Sequence, residues 1–376
     1  MPREYQICKR CVMDTTDPDI VFDENGYCNH CTGALKKLNS YPLNLSKEEK
    51  EKELQKIVKE IKDSGKNKQY DCIVGVSGGV DSRYVLYFVK KLGLRPLAFH
   101  LDNNWNTKLS VKNIEKVTKK LNVKLHTMHV DWKEFKDLQL SFLKSSTPDL
   151  EIPTDHGLLA ALYKVAAEYN VKYIISGHNF ITENIAVPAW SHGHYDWRYV
   201  RLIQKRFGTK KLTNFPHLSM YALLSQQLFR GIKIIRILNY VPEYDKKKIV
   251  SFLEKEFGWQ NYITKHAESI YTFFVQAYIL PTKFNYDKRK MHLSDLICAG
   301  QMTRDEALEA LKKPLFTESE LKEMIELVCN KLDITREEFE SFMKLPNKSY
   351  YDYPSYNTHP IYRVMREVFK KVKPQL

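Results

Sequence analysis

Seven cysteines occur in the 376 residues, and four of them fall within the first 31 positions. Cys8-x2-Cys11 and Cys28-x2-Cys31 are separated by 16 residues. That is the pattern of a structural zinc site, in which each turn aims two thiolates at one ion and four thiolates close a tetrahedron. A segment of about 35 residues cannot bury enough apolar surface to fold unaided. A metal staple is therefore expected here, the alternative being four reduced thiols in a loose segment. His30 stands open as another ligand or as a neighbour of the site. Four thiolates leave no open coordination position, so no catalysis is assigned to them. Cys72 reads as core, and Cys298 and Cys329 form no further pair.

The second reactive group is Ser77-Gly78-Gly79-Val80-Asp81-Ser82. Paired glycines let backbone N–H groups turn inward and approach phosphate oxygens closely. Ser77 and Ser82 add hydroxyl donors, and the helix expected next contributes the partial positive charge of its N-terminus. Asp81 is an acid among anions, which suits a Mg²⁺ ion bridging phosphates. No Gly-Lys-Ser/Thr follows, so this is not a Walker A loop. The alternative is a glycine-rich turn with no ligand.

These residues need elements to position them. Apolar runs at 71–76, 96–101, 123–130, 173–176 and 232–238 read as strands, alternating with helical patterns at 83–92, 110–121, 132–143 and 156–169. Such alternation predicts an α/β fold with a parallel, doubly wound sheet, whose ligands bind at the carboxyl ends of the strands. Asp23-Glu24-Asn25-Gly26 predicts a hairpin turn, with Asn-Gly able to take positive φ. The domain reading is a four-cysteine zinc module at 1–40, a connecting helix at 41–68 and a nucleotide domain at 69–243. A helical C-terminal region follows at 244–376, with helices expected at 246–257, 318–332, 337–343 and 362–371. No apolar run reaches membrane-spanning length and 1–5 lacks a signal-peptide core, so a cytoplasmic protein is expected. The formal net charge of +14 is compatible with nucleic acid or with polyanionic small substrates, and the lysines form no long basic arm.

The loop resembles the PP-loop of the N-type ATP pyrophosphatases, which hold the β- and γ-phosphates of ATP while a substrate attacks the α-phosphate. That resemblance implies adenosine recognition near Asp102 and Asn103, after the second strand. It also implies phosphate contacts from Gly177 and His178 after the fourth strand, and metal support from Glu183. An ordinary loop role stays open for His178 and Glu183. The opening Cys8-Lys9-Arg10-Cys11-Val12-Met13-Asp14-Thr15-Thr16-Asp17-Pro18, the loop, Lys265-His266-Ala267-Glu268-Ser269 and the 280–297 stretch together resemble the N-acetyl-sugar amidotransferases. These are the WbpG and PseA type enzymes of bacterial surface-sugar synthesis, and the resemblance runs to about Leu311.

The resemblance implies conversion of an acetamido group on a nucleotide sugar into an acetamidino group, using ATP and Mg²⁺, in O-antigen lipopolysaccharide or related glycan synthesis. Catalytic roles would fall to Asp81, His178, Lys265, His266 and Glu268, with a turn and surface ion pair as the alternative for the last three. Asp155, Lys283, Lys288 and Arg289 are candidate substrate ligands. Asp155 is equally open as a helix N-cap, and the three cations as a solvated face. No glutaminase nucleophile is legible, because Pro2 follows Met1 and Cys298 lacks its Gly-x-Cys-x-Gly elbow. Ammonia is therefore expected from a separate glutaminase subunit resembling that of imidazole-glycerol-phosphate synthase, with no nucleic-acid partner. The competing reading is a tRNA-modifying PP-loop enzyme.

Overall fold

The structure is a computed structural model that describes residues 3–260, 262, 267–360 and 362. The cysteine module leads into α1 (Asn29–Leu38), and Cys28 caps that helix by accepting the Cys31 N–H. The Asp23–Gly26 turn forms as expected, with Gly26 at φ 78° and its N–H donated to Asp23 O at 2.9 Å. Helix α2 (Lys47–Ser64) opens on a reciprocal capping box between Ser46 and Glu49. It lays Leu54, Val58 and Ile61 against the back of the sheet.

The α/β unit follows in chain order. It contains β1 (Cys72–Gly75), α3 (Val80–Lys91), β2 (Pro96–Asp102), α4 (Lys108–Lys120), β3 (Leu125–His129), α5 (Trp132–Ser145), α6 (Ile152–Glu168) and β4 (Tyr173–Ile175). Then come α7 (Trp197–Phe207), α8 (Met220–Leu228), β5 (Lys233–Ile235) and α9 (Lys246–Phe257). All pairings are parallel, in the order β3-β2-β1-β4-β5. Central β1 and β2 are almost wholly buried, which is why they read as unbroken apolar runs. Edge strands β3 and β5 are partly exposed and shorter than their apolar runs, and after Ile235 the chain turns into a 3₁₀ segment at Ile237–Tyr240. Strand order reverses between β1 and β4, so a crevice opens beyond their carboxyl ends.

Helix α9 ends at Gly258 in the left-handed conformation and packs Ile249, Leu253 and Phe257 with Val85, Leu86 and Val89 of α3. It thereby covers the helix that follows the Ser77–Ser82 loop. The remaining helices are α10 (Ile270–Phe274), joined through a π turn at Val275–Ile279 to α11 (Leu280–Phe284), then α12 (Lys288–Cys298) and α13 (Arg304–Lys312). Last come α14 (Glu318–Leu332) and α15 (Arg336–Met343), where the sequence places helices. Beyond Tyr362, the helix expected at 362–371 lies outside the described residues. Among the described residues no helix is long and apolar enough to cross a membrane.

The cysteine module docks on these late helices. Val12 N donates to Ser294 Oγ at 3.2 Å, and Arg304 Nε lies 3.1 Å from both Cys8 O and Cys11 O. Lys290 pairs with the buried Asp14. The same contact reaches the loop after β4, because Asn184 Nδ2 donates to Ala34 O at 2.9 Å and Ile185 N to Asp295 Oδ1 at 2.8 Å.

Candidate active site

The Ser77–Ser82 loop leaves the carboxyl end of β1 and becomes the first turn of α3. Ser77 Oγ accepts the Gly79 N–H at 3.3 Å, and Ser82 Oγ accepts the Ser77 N–H at 3.3 Å. Gly78 sits at φ 91°, where a Cβ would lie 2.1 Å from Ser110 Oγ. Gly177 closes the other side, and a Cβ there would fall 3.0 Å from Ser82 N. Both positions need the close backbone approach that only glycine permits. Asp81 points from the helix's first turn and accepts a hydrogen bond from Tyr244 O–H. His178 Nε2 lies 3.9 Å from Glu183 Oε2, so the β4 loop brings these two candidates together beside the β1 loop.

At the end of β2, Asp102 accepts from Asn104 N at 2.9 Å and Asn106 Nδ2 at 3.1 Å, with His129 Nδ1 at 3.1 Å. Partial burial works to raise its carboxyl, and these donors more than offset that, leaving it below the usual carboxylate range. Asn103 is buried and turned back on its own loop, accepting Trp105 N at 3.2 Å. Its side chain shapes the loop near which adenosine recognition is expected. His100, which was assigned no role, ties the two strand ends by contacting Val76 O at 2.9 Å through Nδ1 and Asn106 through Nε2.

Segment 268–270 is stitched to the β2 loop by Thr107 N to Glu268 O at 3.0 Å and Ile270 N to Trp105 O at 2.8 Å. This sets the Glu268 carboxylate against the nucleotide loop, 3.1 Å from where a Gly79 Cβ would be. Lys265 and His266 lie outside the described residues. The expected basic substrate ligands divide. Lys283 Nζ donates to Met343 O at 3.0 Å and Leu345 O at 2.7 Å, satisfying the carbonyls that end α15. Arg289 is held by Asp287 and by the carbonyls of Leu311 and Lys313 at the end of α13. Both cations stand as caps on carbonyls at helix ends. Lys288 faces the acids around the start of α6, its charge opposing the effect of burial on Glu151 and Asp155. Asp155 is not an N-cap either, because α6 begins at Ile152 and places Asp155 in its first turn, with His194 Nε2 at 3.2 Å.

Arg83 was missed. It is fully buried behind the loop, where Nη2 donates to Tyr262 O–H at 3.3 Å and Tyr262 O–H in turn donates to Gly78 O at 3.1 Å. Its Nε and Nη1 have no partner among the described residues. Burial pulls its guanidinium down to about 10, still cationic at neutral pH. The signal in sequence was a cation on the apolar stripe of α3, sharing its buried face with Leu86 and Val89. A buried cation beneath a glycine turn would support an anion bound there, and it costs stability. Arg83→Met is therefore expected to keep or raise the melting temperature while weakening ATP binding by about 10-fold or more. Thermal melts and ATP titration check this, and a variant that melts early with unchanged ATP binding would make Arg83 purely structural.

The four cysteine sulfurs lie within 4.8 Å of one another, with Cys8–Cys31 at 3.7 Å and Cys11–Cys28 at 3.6 Å. A tetrahedron with metal–sulfur bonds of about 2.3 Å separates its sulfurs by about 3.8 Å, so the cluster has the dimensions for zinc. Backbone N–H groups of Arg10 and Cys28 point at Cys8 Sγ at 3.4 and 3.2 Å, as thiolate ligands require. His30 is a neighbour, its Nε2 lying 2.5 Å from Asp17 Oδ2.

Residues 268–369 match the family described as LPS biosynthesis protein WbpG-like, C-terminal domain. An uncharacterized protein of Methanocaldococcus jannaschii is 29% identical over 189 residues, which make up 50% of this chain and 64% of that relative. The chain thus spans less than two thirds of the curated relative it matches. Among solved structures, NMN synthetase from Francisella tularensis is 15% identical with a TM-score of 0.31, covering 64% of this chain and 97% of its own. NH3-dependent NAD synthetase from Campylobacter jejuni is 15% identical with a TM-score of 0.29, covering 80% and 98%.

Proposed function

The chain is of the WbpG type through its C-terminal domain, and from that premise we propose that it is an ATP-dependent, AMP-forming amidotransferase acting on an acetamido group of a nucleotide-activated sugar. One observation carries the reading. The first residue of the WbpG-like domain, Glu268, sits directly on the phosphate-binding turn at Gly79. A family-specific domain and a nucleotide loop thus share one site.

An amide carbon is a poor electrophile and its oxygen a very poor leaving group. Attack of that oxygen on the α-phosphate of ATP, with loss of the amide N–H proton to solvent, would give an O-adenylyl imidate and pyrophosphate. The N–H groups of the Ser77–Ser82 turn, the first turn of α3 and buried Arg83 would stabilise the charge on the departing pyrophosphate. Asp81 would hold Mg²⁺, which supplies neutralisation of the phosphates when bound. Ammonia then forms a bond to the imidate carbon, and the carbon–oxygen bond breaks with its electron pair leaving on AMP. The three hydrogens of ammonia end on the two nitrogens of the amidinium product. A glutaminase subunit in trans remains our proposal for the ammonia source, and bacterial O-antigen or related glycan synthesis for the pathway class.

The test is release of AMP and pyrophosphate from Mg-ATP with ammonium, comparing UDP- and CMP-linked diacetamido sugars with bulk tRNA. Release dependent on a sugar nucleotide, with a product lighter by the difference between O and NH, is the expected result. Release with tRNA alone would move the enzyme to RNA modification.

A further inference from the structure

A buried phenol joins the chain segments around the Ser77–Ser82 turn. Tyr244, 6% exposed, stands between β5 and α9, one residue before the Asp245 N-cap. Its O–H donates to Asp81 Oδ1 in the first turn of α3. Thr182 and Glu183, from the loop after β4, act on the same phenol. Gln301, just past α12 in the WbpG-like domain, holds the backbone on either side of it. Its Nε2 donates to Tyr244 O at 2.7 Å, and its Oε1 accepts Lys246 N at 3.1 Å.

A buried tyrosine can satisfy its hydroxyl on a backbone carbonyl, as Tyr353 does on Ser145 O at 2.7 Å. Tyr244 instead directs its hydroxyl to a carboxylate at the glycine turn. Hydrogen bonds to a charged acceptor are shorter and stronger than those to a neutral one. An aspartate in a first helical turn has several staggered rotamers and can fold back onto nearby backbone N–H groups. The phenol fixes one of them. It engages Oδ1, and among the described residues no further hydrogen bond reaches the Asp81 carboxylate, so Oδ2 is left for another partner. Asp81 and Glu183 are hard oxygen donors on neighbouring loops. Mg²⁺ takes one or two such carboxylates together with phosphate oxygens, so the residues present fit the ion.

Resting on the role proposed above for Asp81, we propose that Tyr244 is the positioning residue that presents the Asp81 carboxylate to the metal ion of the bound nucleotide, and that Gln301 sets Tyr244 in place. The WbpG-like domain thereby tunes how the nucleotide loop receives its metal, through one amide and one phenol.

The experiment measures the Kd of α,β-methylene-ATP, which cannot release pyrophosphate, by titration calorimetry with Mg²⁺ and again with EDTA. Wild type, Tyr244→Phe, Gln301→Ala, Asp81→Asn and the Tyr244→Phe/Asp81→Asn double variant are compared, with thermal melts to show that each is folded. With Mg²⁺ the Kd should rise about 10-fold in Tyr244→Phe and about 3-fold in Gln301→Ala. With EDTA both should stay within about 2-fold of wild type, which a general loosening of the pocket would not allow. In the Asp81→Asn background Tyr244→Phe should add no further loss, because the carboxylate it positions is gone. A folded Tyr244→Phe with an unchanged Mg²⁺ Kd, or with the same added loss in both backgrounds, would overturn the proposal. If Tyr244→Phe does not fold, Gln301→Ala decides, and an unchanged Mg²⁺ Kd there overturns it. Wild type that binds the analogue no tighter with Mg²⁺ would overturn the metal role of Asp81 and that of Tyr244 together. The sugar reaction is read separately, so its failure beside the expected Kd pattern would remove the amidotransferase reading and leave the role of Tyr244 supported.

Discussion

Gly78→Ala should lower kcat/KM for ATP about 1,000-fold while leaving the protein folded. Two penalties meet at this position. The φ of 91° lies where an L side chain is strained, a cost of about 1–3 kcal/mol. The new Cβ would also lie 2.1 Å from Ser110 Oγ and 3.2 Å from Ser110 Cβ, so the turn must move. A displacement of about 1 Å is enough to lose about 100-fold in rate when donors must meet developing charge. The two effects separate experimentally. Adding Ser110→Ala removes the clashing hydroxyl and should restore part of the activity, leaving the strain in place. Pyrophosphate release assays on the single and double variants check this. Full recovery in the double variant would mean that backbone strain plays no part.

Cys11→Ser should release the bound metal and lower the melting temperature by about 5 °C or more. Serine is a poor ligand, and the remaining three thiolates would be buried charges without their ion. The cost spreads beyond the module. Arg304 donates to the Cys8 and Cys11 carbonyls, Asp14 anchors Lys290, and Ala34 O holds Asn184. Loss of the module's shape therefore loosens both α12–α13 and the loop that carries Glu183. Metal content by mass spectrometry, melting with and without chelator, and ATP titration check this. Zinc at one per chain in the wild type and none in the variant is expected. An unchanged melting temperature after complete metal removal would make the module a passenger.

The parts of the fold legible in the sequence were those with strong local cause. Strands β1 and β2 are buried on both faces and read as apolar runs, and α9 and α14 end at left-handed caps, Gly258 and Asp333. Edge strands were overdrawn because apolar residues beyond Ile235 serve the core from a 3₁₀ turn. The nucleotide loop and the cysteine cluster were legible because all their residues lie close in sequence. Tyr262 on Gly78 O and Tyr244 on Asp81 were not, being 184 and 163 positions away. The carbonyl contacts of Lys283 and Arg289 were not legible, because a cation capping carbonyls and a cation awaiting an anion look alike in sequence.

The docking of the cysteine module on α12 and α13 has a consequence for synthesis. The module is synthesised before its landing surface at Ser294 and Arg304, which follows 282 to 296 residues later. The loop bearing Glu183 waits on the same event, through Ile185 and Asp295. A nascent chain can therefore gather its four cysteines early, while the loop that carries Glu183 stays unanchored. The adenylylating chemistry proposed above would then wait for the domain that supplies Glu268, and an unfinished chain would spend no ATP.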